Sequence, residues 1–144
     1  MTKGWFNQSL RAMGWGMAAY FAGMVITSVT LSGLTRLYLG ILGWDDTQIH
    51  DFFTRQFQTY PRMVLAILPG VFAAGAAGYT AATRVTALEY WHALGVALLT
   101  ALIFTGPAMG RLPLGYTLMT VALSLVAALF GASFPKARRR ASNP

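Results

Sequence analysis

The sequence has no cysteine and only four acidic residues, of which Glu89 is the one glutamate. The first absence removes disulfides, thiolate metal sites, cysteine nucleophiles and dithiol relays together. The second removes a di-metal carboxylate bundle unless several chains contribute, since it needs two Glu-x-x-His pairs and two further glutamates. Charge of either sign is scarce, at 10% of residues. A soluble domain carries about a quarter, so most of this surface is not built to face water. There is no phosphate-binding glycine loop, no nucleophile elbow and no His-Glu-x-x-His motif. No acid lies within a long apolar run, where a proton-coupled carrier needs one. Neither an internal repeat nor a low-complexity run is visible.

What is present is apolar. Of 144 residues, 56% are hydrophobic and mean hydropathy is +0.52. That length and composition suit one domain, 1–144, of four membrane helices with short basic tails. The sequence predicts an all-α integral membrane protein with transmembrane helices at about 12–42, 62–83, 87–105 and 114–134. Residues 1–11 read as a polar lead without the apolar core of a cleavable signal. Pro135 reads as the stop of the last helix, and Pro69 as a kink in the second.

Between the first two spans, residues at about 46–60 read as an amphipathic helix in the interface plane. Asp45 or Asp46 is the expected N-cap, and Gln48, three residues after Asp45, fits a capping box. Ile49, Phe52, Phe53, Phe57 and Tyr60 share one face, while Asp51, Arg55 and Gln58 share the other. Pro61 is the expected stop.

The net charge of +7 falls in loops and tails, where it orients spans and meets anionic lipid rather than nucleic acid. With both termini cytoplasmic, the inside holds Lys3, Arg11, Arg84, Lys136, Arg138, Arg139 and Arg140. The outside holds Arg36, Arg55, Arg62 and Arg111. The expected location is a bacterial inner membrane with both ends in. Lys136, Arg138, Arg139 and Arg140 are the expected lipid head-group contacts.

Small residues repeat at Gly70, Ala74, Gly78 and Ala82, a four-residue spacing that lets helices approach to backbone contact. Thr120, Ser124, Ala128 and Gly131 in the last span form a second such face, together with Thr117. Both are candidate packing or partner interfaces. Thr27, Ser28, Thr30, Ser32 and Thr35 give the first span hydroxyls that bond along or across helices.

The polar candidates are few. Glu89 and His92 stand three residues apart at the start of the third span, the other two being Arg36 and His50. The topology places His50 outside and His92 inside, so the two histidines cannot share a metal or haem, and no catalytic residue, metal or cofactor is expected. The leading expectation is a non-catalytic accessory or assembly subunit of a larger membrane complex, with other membrane subunits and lipids as partners. A small homo-oligomeric transporter or channel is the alternative, and a lipid- or quinone-active enzyme the second.

Overall fold

The computed structural model describes residues 3–55, 60–106 and 112–142, and among these it holds five helices and no strand. They are α1 (Lys3–Ile41), α2 (Asp46–Thr54), α3 (Tyr60–Thr83), α4 (Glu89–Thr105) and α5 (Leu114–Ser142). Three of them, α1, α3 and α5, contain apolar stretches long enough to cross a membrane: Phe6–Ile41, Val64–Thr83 and Leu114–Pro135. Helix α4 is apolar but has only 17 residues, shorter than these three, so the span predicted at 87–105 is not among the long apolar stretches.

Several boundaries differ from those the sequence predicts. Helix α1 begins at Lys3, not near residue 12, because polarity alone does not stop a helix and no proline interrupts residues 3–11. It ends in a Schellman turn. Gly43 takes φ +81°, its N–H bonds to the Gly40 carbonyl at 3.0 Å, and the Trp44 N–H bonds to that of Leu39 at 3.1 Å. Helix α2 stops at Thr54 instead of reaching residue 60. Pro61 lies in the first turn of α3, where its missing N–H costs nothing and its fixed φ suits a helix start. Tyr60 therefore belongs to α3, and Phe57 and Gln58 lie outside the described residues. Helix α4 starts at Glu89 rather than 87, after Leu88 in the left-handed region at φ 58°. Helix α5 runs through Pro135 to Ser142. The residues after Pro135 (Lys-Ala-Arg-Arg-Arg-Ala) are strong helix formers that carry the backbone past the lost hydrogen bond.

The start of α2 is a complete capping box: the Gln48 N–H donates to Asp45 Oδ1 at 2.8 Å, and the Asp45 N–H donates to Gln48 Oε1 at 3.0 Å. Replacing Asp45 by alanine is expected to cost about 1 kcal/mol of local stability. The reading is faster amide exchange at Gln48 and Ile49 with the long helices unchanged. Equal exchange in both chains would show that the cap is dispensable.

Helices α3 and α4 each touch α1 and α5, while α1 and α5 do not meet. The core is made of small residues. Ala73, Ala74, Ala77 and Ala81 of α3 pack with Tyr20 of α1 and Val96 of α4, and Ala82, Ala93 and Ala132 form a second cluster with α5. Large apolar side chains point outward instead, among them Val25, Val29, Leu98, Leu102, Leu118 and Phe130. This inversion of a soluble core is what lipid permits, because tails solvate leucine and small residues let backbones close up.

Candidate functional site

Three places in the bundle gather chemically distinctive residues: the α3–α5 seam and the two ends.

At the seam the helices meet backbone to backbone. A Cβ added to Gly78 would fall on the Ala128 carbonyl and lie 2.7 Å from Ala128 Cα. A Cβ on Gly131 would lie 3.0 Å from the Tyr79 nitrogen and collide with the Gly75 carbonyl. Of the sequence-derived interface residues, Gly78, Ala82, Ala128 and Gly131 are thus engaged between α3 and its neighbours within the chain. Ala74 faces the cluster around Tyr20. Gly70 stands near Tyr20 and Met24 of α1, with room for a methyl group at 3.7 Å. Ser124 is buried, and the Thr120 hydroxyl donates to its own helix at the Tyr116 carbonyl, 2.8 Å away. The sequence reading missed Gly75, which meets Gly131, and also Gly16 and Gly23. The last two face Ala77, Ala81, Val96 and Ala73, and their seven-residue spacing was the available signal.

One end of the bundle carries the α1–α2 elbow. The Arg36 guanidinium lies 5.4 Å from the centroid of the Phe53 ring, a cation–π contact. Arg36, Trp44, Asp46 and Ile49 line an open groove of about 560 Å³. His50 is exposed on α2, its carbonyl accepting from the Thr54 hydroxyl at 2.9 Å. Asp51 and Arg55 pair at 2.7 Å on the exposed side of the same helix.

The opposite end holds the start of α1, the α3–α4 turn and the first turn of α4. His92 is buried, and its Nδ1 bonds to the Leu88 carbonyl at 2.9 Å. A carbonyl only accepts, so Nδ1 carries the proton. Glu89 occupies the positive end of α4, where a carboxylate is favoured. Arg36 and His50 therefore stand at one end, Glu89 and His92 at the other. No group of three or more His, Cys, Asp or Glu side chains comes together among the described residues. The side chains of Lys136, Arg138, Arg139 and Arg140 lie outside those described.

At the same end, α1 and the α3–α4 turn form a cleft of about 380 Å³ lined by Asn7, Gln8, Arg11, Trp15 and Arg84. The hydroxyl of Thr27, deeper in the bundle, donates to the Gly23 carbonyl at 2.6 Å and reaches the Pro69 carbonyl on α3 at 3.3 Å.

The geometry defines an all-helical protein of membrane type, with a small-residue core and outward apolar side chains. No family model, curated protein or solved structure matches the chain.

Proposed function

We propose that the chain is a non-catalytic accessory subunit of a larger bacterial-type inner-membrane complex, spanning the membrane four times with both termini cytoplasmic. In this reading α1, α3, α4 and α5 are the spans. The 17 residues of α4 are at the lower end of the range that crosses a bilayer, and its short length is balanced by packing between α3 and α5. Helix α2 lies along the outer interface, with Ile49 turned inward and His50, Asp51 and Arg55 outward.

The observation that carries the proposal is the outer face of α1. Only 6% of an apolar 18-residue stretch of α1 is buried within the chain, against 39% of the corresponding stretch of α3. Gly14, Ala18 and Ala22 lie exposed at four-residue spacing, and Gly33 lies on the same face three turns beyond Ala22. This face is roughly opposite to Gly16, Tyr20 and Gly23, which pack inward. Nothing lies within 4 Å of a Cβ placed on Gly14 or Gly33. A small-residue face serves close helix approach, and here no helix among the described residues covers it.

Purification of the tagged chain in mild detergent, sized and followed by intact mass, tests the role. Unrelated membrane subunits at fixed stoichiometry are the expected result. A lone chain would overturn it, and a homo-oligomer would favour the transporter or channel alternative.

A further inference from the structure

We propose that the cleft between the start of α1 and the α3–α4 turn binds the phosphate of an anionic phospholipid head group. Asn7, Arg11 and Trp15 follow one another at four-residue spacing along α1, so they form one face. Gln8 ties that face to the turn, its Nε2 donating to the Arg84 carbonyl at 3.3 Å. The Arg84 guanidinium lies 4.8 Å from the centroid of the Trp15 ring. This stacking holds a flexible cation in place while leaving the edge of its planar fork for an oxyanion. Arg11 supplies the second cation, Asn7 and Gln8 supply amide donors, and no acidic residue is among the described residues that line the cleft. Two guanidiniums with neutral donors and no carboxylate form a phosphate receptor.

The position in the fold selects the source of that phosphate. Arg11 immediately precedes the charge-free run 12–35, and Arg84 directly follows the apolar stretch Val64–Thr83. Both cations therefore sit where the apolar spans end, at head-group depth, with an amphipathic tryptophan between them. A glycerophospholipid there places its phosphate in the cleft. The inference rests on the membrane-spanning reading above.

The test reconstitutes the chain into vesicles of phosphatidylcholine doped with phosphatidylglycerol. Flotation with the vesicles is scored first, and lipids retained after detergent extraction are then counted by native mass spectrometry. Wild type is expected to float and to retain phosphatidylglycerol. Arg11→Gln/Arg84→Gln is expected to float equally, melt like wild type and lose retention roughly tenfold, since each basic residue near an anionic surface contributes modestly. Arg36→Gln, at the other end, is expected to retain lipid as wild type does. Equal retention in the double variant overturns the site while leaving the membrane reading intact, and failure of wild type to float overturns both. If inorganic phosphate binds wild type with the same arginine dependence but phosphatidylglycerol is not preferred over phosphatidylcholine, the lipid assignment is overturned.

Discussion

Gly78→Leu is expected to separate α3 from α5 and to lower the melting temperature of the detergent-solubilised chain more than any other single glycine substitution on α3. The reason is that the contact is with backbone. A methyl group at Gly78 already lies within 2.7 Å of Ala128 Cα, and a main-chain atom cannot rotate away as a side chain can. The whole of α5 must shift, undoing the Gly75–Gly131 approach and the Ala82–Ala93–Ala132 cluster with it. Overpacking of a close contact typically costs about 1–3 kcal/mol; here even alanine falls in that range, and leucine exceeds it. Gly75→Ala is the internal comparison. Its Cβ would meet the Ala127 carbonyl at 3.5 Å, an ordinary contact, and alanine is favoured over glycine within a helix by about 0.5–1 kcal/mol. Gly75→Ala is therefore expected to be neutral or slightly stabilising. Detergent unfolding curves for the three variants check the order, and a Gly78→Leu chain that unfolds with wild type would show that α3 and α5 are not in close contact.

The second large effect is on assembly. Gly14→Leu with Ala18→Leu and Ala22→Leu is expected to reduce co-purifying subunits about tenfold or more, while the isolated chain keeps its own stability. The separation of the two readouts follows from exposure. All three positions face away from α3, and a Cβ at Gly14 meets no atom within 4 Å, so added bulk does not disturb the fold. Substitutions of this kind shift stability by about 0.5 kcal/mol at most. Against a partner helix the same bulk prevents backbone approach. The stability readout is unfolding of the isolated chain, and the assembly readout is subunit stoichiometry by intact mass. Retained partners would move the interface off this face. Dissociation of a homo-oligomer would identify the face as a contact between copies.

Physical periodicity explains which of these features were legible early. The all-helical, membrane-type class follows from composition, because so little charge cannot cover a water-facing surface. The capping box at Asp45 and Gln48 is a local pattern four residues long, and it is formed in the structure. Local reasoning failed where two rules competed. Pro61 and Pro135 each look like terminators in the sequence, yet one lies in a helix's first turn and the other inside a helix, because proline's effect depends on which carbonyl stands four residues before it.

By itself the sequence determined the apolar, helical character of this chain and the presence of small residues at helical spacing. The tertiary structure decided how those residues are spent. Along α3, small residues occur on nearly every side, so spacing alone could not say that Gly78 meets Ala128, that Gly75 meets Gly131, or that Ala73 and Ala77 turn to α1. It likewise decided that Arg84, distant in sequence from Trp15, lies over its ring. Periodicity along one helix describes that helix alone. Which face meets which neighbour depends on the mutual fit of α1, α3, α4 and α5, and that fit exists only once the helices are packed.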